Sequence, residues 1–247
     1  MNKFPRSAYV HIPFCHRRCF YCDFAVIPLG NKVETLQGYG SKTVKEYLHF
    51  LYKEILSIKH KSSLSTIYVG GGTPSILDPQ QIKQLIDLFK ENYGVDYGAE
   101  ITMEVDPASF NLDDLHGFIN AGINRFSLGV QSFNNQILQK SGRRHLREDA
   151  EKSCFWLKKA YSAGLIKSWS LDLIQNLPLS GLKEWKEDLK KAITFSPPHI
   201  SIYDLNIENG TVFKKLVNLG KLQLPSDEEA FRNSETTHLI LKHSGYS

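Results

Sequence analysis

Cysteine is scarce in this chain. Its 247 residues hold four, and three of those fall between positions 15 and 22. A count so low and so bunched points to a reducing compartment. Long apolar runs are missing as well. None approaches the roughly 18 residues of a membrane span, and the N-terminus lacks the apolar core of a secretory signal. The chain therefore reads as cytoplasmic, or peripheral at a membrane at most. Strong charge is absent too, since the formal net charge is only +4. Nucleic-acid recognition needs basic residues clustered on one face, so no nucleic-acid partner is expected. There is no internal repeat and no linker-like segment before Gly220. With 41% hydrophobic residues, the length suits one substantial domain.

What is present is one dense stretch, Tyr9 to Phe24, reading YVHIPFCHRRCFYCDF. Cys15, Cys19 and Cys22 fall in it with the spacing CxxxCxxC. Thiolates at that density ligate metal or form disulfides. An odd number cannot pair off evenly, and a structural zinc site closes with four ligands. No second CxxC or HxxxH follows to supply the fourth. Three thiolates on a short loop suit a cubane iron–sulfur cluster, with three irons held by protein and the fourth open for chemistry. A zinc knuckle is the structural alternative. Arg17 and Arg18, between the first two cysteines, either tune a cluster electrostatically or are simply solvated, and the solvated reading is favoured. Cys154 falls on the apolar side of a helix and reads as a buried structural residue.

The rest of the chain alternates strand and helix. Strands are expected over residues 8–12, 66–70, 100–105, 125–130, 169–174 and 199–205. Helices are expected over 43–60, 78–91, 112–120, 147–162 and 182–195, with helical stretches near 212–219 and 227–243. Residues 28–40 read as a polar loop. Ile82, Leu85, Ile86 and Phe89 recur at helical spacing. Six strand–helix units predict a parallel sheet with helices outside.

A parallel sheet covered on both faces is apolar throughout, and several of these strands alternate instead. Thr102 and Glu104 oppose Ile101 and Met103. Ser127, Gly129 and Gln131 oppose Phe126, Leu128 and Val130. Ser170 and Asp172 oppose Leu171 and Leu173. The apolar set must face the helices, and the polar set the interior. A carboxylate in a dry interior is costly unless paired, so an open, polar, ligand-filled cavity is expected. The fold class is therefore α/β, an incomplete (βα)6 TIM-like barrel, curved but not closed. It should occupy residues 1–225, with residues 226–247 starting a C-terminal region. Active sites of such barrels gather at the C-terminal ends of strands, where Cys15, Gly71, Glu104 and Gln131 fall.

Gly70, Gly71 and Gly72 precede Thr73 and Pro74 at one such end. Glycines let backbone approach a ligand closely and take positive φ. No Gly-Lys-Ser/Thr follows, which argues against a phosphate loop.

CxxxCxxC after a short strand resembles the radical S-adenosylmethionine (SAM) superfamily. The flanking YVHIPFC and CDF are similar to the oxygen-independent coproporphyrinogen oxidase family and its haem-chaperone branch. The resemblance runs from Tyr9 to Tyr246. It implies the radical SAM barrel and a [4Fe–4S] cluster on Cys15, Cys19 and Cys22. It also implies SAM chelating the open iron and, after one-electron reduction, releasing a 5′-deoxyadenosyl radical. By the same resemblance, GGGTP, with Gly71, Gly72 and Thr73, receives the SAM amino group. Glu104 in EVDP is its acidic ligand. Gln131 in LGVQSF and Asp172 in SLDLI contact the ribose hydroxyls. Arg143 in SGRRH neutralises the SAM carboxylate, with Arg144 the competitor. Tyr9 and Tyr21 match positions flanking the methionine and adenine ends, or are packing residues.

Two functions follow from the resemblance. One is a haem chaperone that binds haem and transfers it to apo-proteins. The other is an oxidase converting coproporphyrinogen III to protoporphyrinogen IX, with a one-electron reductant. The oxidases carry a further cysteine two residues after the third ligand. Here that position is Phe24, as in the chaperone branch. They also have a longer segment before the first strand. The branch's C-terminal HNxxYW motif is absent from this sequence, leaving His11, His145 and His199 as available haem ligands. Asn176 replaces the glycine common in the DLIxGLP segment.

Overall fold

The computed structural model describes residues 5–30, 39–58 and 62–247. Most of the expected loop over 28–40 and the end of the helix expected to reach residue 60 lie outside the described residues. In chain order the elements are β1 (Ser7–Ile12), β2 (Phe14–Cys15), β3 (Ile27–Pro28), α1 (Tyr39–Ser57) and β4 (Leu64–Gly71). A 3₁₀ turn (Pro74–Ile76), α2 (Pro79–Asn92), β5 (Val95–Val105), α3 (Leu112–Ala121) and β6 (Arg125–Gln131) follow. The chain then forms α4 (Asn135–Lys140), α5 (Arg147–Ser162), β7 (Ser168–Gln175), α6 (Leu182–Thr194), β8 (His199–Asp204), α7 (Val212–Asn218) and α8 (Asp227–His243).

Six strands form one sheet in the order β1-β4-β5-β6-β7-β8, every pair parallel. Spatial order equals sequence order, without the reversal that defines a doubly wound sheet. Parallel crossovers share one hand, so each steps the same way and the helices collect on one face. Such a sheet curls round its other face. The paired row Glu104–Ser127–Ser170–His199 runs from near the end of β5 to the first residue of β8. That stagger is the tilt of barrel strands. β1 and β8 remain as edges, so the barrel is an incomplete (βα)6.

The alternation in the strands is realised. Val10, Ile12, Met103, Phe126, Leu128, Leu171 and Leu173 are buried in one cluster with Leu85, Phe118, Leu157 and Leu189 from the helices. Cys154 sits in that cluster, fully buried. A second, smaller cluster joins Ile137, Ile174, Leu177, Phe213 and Leu222, with Phe20 and Tyr21 of the cysteine loop against it.

Three features were not expected. β2 pairs with β3 and ties Phe14 to Ile27 and Cys15 to Pro28. Two residues per strand carry no periodicity. α4 is six residues long, capped by Asn134, whose side chain accepts from the Gln136 and Ile137 N–H groups. β5 begins at Val95, before the expected residue 100, because its pairing shifts register between Leu64 and Thr66 of β4.

The expected boundary at 225/226 falls between α7 and α8. α8 is nevertheless bonded into the barrel: Trp185 Nε1 donates to Thr237 Oγ1 at 2.8 Å, and Asn233 Nδ2 donates to Asn176 Oδ1 at 2.8 Å. Asn176 itself is accounted for by backbone. It sits at the end of β7 with φ 65°, a left-handed conformation that glycine adopts freely and asparagine tolerates. Its Nδ2 donates to Asp204 Oδ1 at 2.6 Å, so it joins β7, β8 and α8. Asn176→Ala should lower stability by about 2–4 kcal/mol through strain plus two lost buried bonds. Asn176→Gly should cost less, since the conformation is kept. Urea unfolding midpoints of the two variants measure this.

Candidate functional site

The C-terminal ends of the strands open onto a cavity of about 370 Å3. Its lining contains Cys15, Cys19, Cys22, Tyr21, Gly71, Gly72, Thr73, Glu104, Gln131, Arg143 and Asp172. Eleven of the twelve residues expected from sequence thus converge there. Tyr9 does not. It lies lower on β1, 60% exposed, stacked on Tyr68 with ring centroids 6.0 Å apart.

The cysteine loop is fixed by backbone. Ile27 N–H donates to the Pro13 carbonyl at 2.6 Å, and Leu29 N–H to that of Cys15 at 2.8 Å. Gly72 and Thr73 N–H groups donate to the carbonyls of Ile12 and Phe14, at 2.8 and 2.7 Å. The glycine segment therefore lies flat against the loop. A Cβ on Gly72 would come within 2.6 Å of the Phe14 carbonyl oxygen and 3.0 Å of Cys15 Sγ. Gly71 has φ +115°, and a Cβ there would strike the His11 ring at 2.7 Å.

All four cysteines are free thiols. Burial pushes the Cys15 thiol up to about 11, against a hydrogen bond from Thr73 Oγ1 at 3.5 Å that lowers it. Burial likewise raises Cys22. Such thiols keep their protons near neutral pH, and metal ligation releases them. Among the described residues no three His, Cys, Asp or Glu side chains are gathered for a single metal ion. In a cubane each thiolate meets a different iron, so its sulfurs stand further apart than the ligands of one ion.

Polar groups fill the wall opposite. Glu104 is raised by burial, while hydrogen bonds from Tyr68 OH at 2.8 Å and Gly71 N–H at 3.0 Å favour its charge. Glu104 thus holds the glycine segment in place. Asp172 is raised by burial as well. Its Oδ2 accepts from Ser127 Oγ at 2.6 Å, and its Oδ1 is buried without a partner among the described residues. Gln131 Oε1 is in the same condition. Gln131 has φ 68°, and the ladder is irregular between Gly129 and Gln131. A bulge at a strand end re-aims a side chain, and here it turns Gln131 into the cavity.

Arg143 is more committed than expected. Its Nη2 pairs with Asp106 and donates to the Gly129 carbonyl at 2.7 Å, and its Nη1 lies 3.6 Å from Cys19 Sγ. Its Nε is buried and has no partner among the described residues. Burial would raise Asp106, but the charges of Arg143 and then His145 bring it below its ordinary value. Asp106 was not singled out from sequence. The available signal was a second acid, two residues beyond Glu104, in EVDP.

The histidines fare differently. His145 is 1% exposed, with Nε2 3.0 Å from the Val130 carbonyl. Burial and Arg143 push it down to about 4. It is closed to an external haem iron. His11 is satisfied, with Nδ1 3.1 Å from Tyr9 OH and Nε2 3.0 Å from the Ala25 carbonyl. His199 is exposed at the start of β8, the end of the barrel away from the cavity.

Residues 9–202 match the radical SAM superfamily. The chain belongs to that superfamily, whose cofactors are a [4Fe–4S] cluster and SAM. Among curated proteins it is 40% identical to the heme chaperone HemW of Synechocystis sp., over 98% of this chain and 57% of that protein. It is 35% identical to the heme chaperone HemW of Escherichia coli, over 98% and 60%. The solved structure of coproporphyrinogen III oxidase (HemN) from Escherichia coli superposes with a TM-score of 0.82 at 31% identity, covering 98% of this chain and 54% of that one. The chain therefore spans less than two thirds of the length of these relatives. No helix among the described residues is long and apolar enough to cross a membrane.

Gly72→Ala should force the Phe14 carbonyl or Cys15 aside, at roughly 1–3 kcal/mol. The expected result is reduced iron and sulfide per chain after anaerobic reconstitution, with native helix content by circular dichroism.

Proposed function

We propose that this chain is the cluster-bearing barrel of a haem chaperone, with haem as ligand and haem-accepting apo-proteins as partners. One observation carries the cofactor part of the reading. Buried atoms of Gln131, Asp172 and Arg143 that have no partner among the described residues line one cavity with three free thiols. Buried polar atoms are normally bonded, so this set suits a polar ligand of the size of SAM. Cys15, Cys19 and Cys22 hold the cluster. Asp172 Oδ1 and Gln131 Oε1 accept from paired hydroxyls. Gly71 and Gly72 bring backbone close without a Cβ in the way, and Glu104 meets an ammonium group. Arg143 faces a carboxylate while it stays paired with Asp106. The cluster and SAM supply one-electron chemistry when bound.

The chaperone assignment is supported by similarity to the HemW proteins and by Phe24. That ring lines the cavity and is 60% exposed, where the oxidases have a thiol. With Val26, Ile174 and Tyr203 it gives the mouth an apolar character suited to a flat macrocycle. Oxidation of coproporphyrinogen III is the second reading, favoured by the superposition on HemN. Four free thiols support work in the cytoplasm.

Arg143→Ala should weaken SAM binding by about 1.5–3 kcal/mol, the range for a hydrogen bond to a charged group. Calorimetry on reconstituted protein measures this, and unchanged affinity would remove Arg143 from the SAM site. The function is tested by giving the reconstituted protein SAM, reductant and either haem or coproporphyrinogen III. Stable haem binding and transfer to an apo-protein without turnover is the expected outcome. Formation of protoporphyrinogen would overturn it.

A further inference from the structure

Arg17 reads as a solvated residue from sequence, and the residue is indeed exposed. Its guanidinium is nevertheless engaged. Nε donates to the Gly142 carbonyl at 2.7 Å, and Nη2 donates to the carbonyl of Arg143. Three residues further on, Phe20 N–H donates to the Ser141 carbonyl at 3.0 Å. Three successive carbonyls of one turn are therefore each taken by a donor from the cysteine loop. The contact is also close. Gly142 has φ +79°, and a Cβ there would meet the Phe20 ring at 2.8 Å.

The same turn carries Arg143, whose side chain returns to Cys19 Sγ at 3.6 Å. The circuit closes on itself: the loop holds the turn by its backbone, and the turn holds the loop's thiol by a guanidinium. We propose that Arg17 is the positioning residue of this circuit, setting the reach of Arg143 toward Cys19 and toward the SAM carboxylate. The SAM half of this statement rests on the reading of Arg143 given above; the Cys19 half does not. A planar fork can take two successive carbonyls at fixed spacing, whereas a lysine ammonium makes a point contact. Charge alone is then insufficient, and Arg17→Lys should behave like Arg17→Ala.

The test uses the full chain, reconstituted anaerobically, with SAM as the probe. Arg17→Lys and Arg17→Ala should retain native iron and sulfide content and bind SAM about threefold to tenfold more weakly. In an Arg143→Ala background, adding Arg17→Ala should change SAM affinity by less than about twofold, because contacts that act as a unit are not additive. The electron paramagnetic resonance spectrum of the reduced cluster should shift in Arg17→Lys but not on adding Arg17→Lys to Arg143→Ala. Native affinity and a native spectrum in Arg17→Lys would overturn the proposal. So would an equal loss in both backgrounds, or a lowered melting temperature with an unmoved spectrum, which marks a merely structural residue. If Arg143→Ala binds SAM normally, the SAM reading of Arg143 fails and the spectral comparison alone decides the role of Arg17. If Arg17→Ala does not fold, Arg17→Lys carries every arm.

Discussion

The ion pair between Arg143 and Asp106 is where this structure is tied together. A charge placed in a half-dry cavity is costly, and attraction to a partner offsets that cost only in good geometry with the remaining donors and acceptors satisfied. The chain meets this demand from several directions. Asp106 sits just past β5, where its N–H donates to Ser75 Oγ at 3.0 Å and its Oδ1 accepts from Ala108 N–H at 3.2 Å. Arg143 comes from the turn after α4 and reaches the Gly129 carbonyl of β6. The turn is held in place by the cysteine loop. Five separate segments therefore meet at or brace one pair of charges, and losing one partner exposes an uncompensated ion. That makes the pair a weak source of net stability but a strong source of register. The three thiols inherit that register, since Cys19 lies against the guanidinium.

Carboxylates elsewhere in the cavity show the opposite balance. Glu104 and Asp172 form no ion pair among the described residues, and burial raises both, against only a smaller lowering from His11 and His199 respectively. Their hydrogen bonds come from hydroxyls and a backbone N–H, which orient a carboxyl without neutralising it. The barrel can place such groups inward because it is not closed. A complete eight-stranded interior is packed with layers of apolar side chains, whereas six strands leave the concave face open to a ligand. The polar inner row and the missing closure are therefore one feature seen at two scales. Gly71 and Gly72 serve the same end, since side chains there would strike His11, Phe14 or Cys15.

Much of this was legible in the sequence. Alternation of polar and apolar residues within the strands is a local pattern with a strict period. It set which faces are buried, and from that the barrel's open polar interior. The cysteine spacing and the run of glycines are local as well. What the sequence carried less well were relations between distant segments. Residues such as Arg17 and Asp106 look like ordinary surface charges in one dimension. Their partners lie at Gly142 and Arg143, and no local pattern encodes a separation of that size. The same limit applies to His145, which was available on paper and is sealed in the wall.

Asn176 marks the boundary between the two kinds of information. The sequence determined that a residue able to take a left-handed backbone stands at the end of β7. It also determined a closely spaced cysteine triad and six strand–helix units, because spacing, period and turn chemistry act over a few residues. Only the tertiary structure decided that the Asn176 amide bonds to Asp204 and Asn233, that Arg143 is already paired, and that Tyr9 stands outside the cavity. Those outcomes depend on which strands become neighbours and with what stagger. That is settled by packing the whole sheet against its helices, not by any single stretch of the chain.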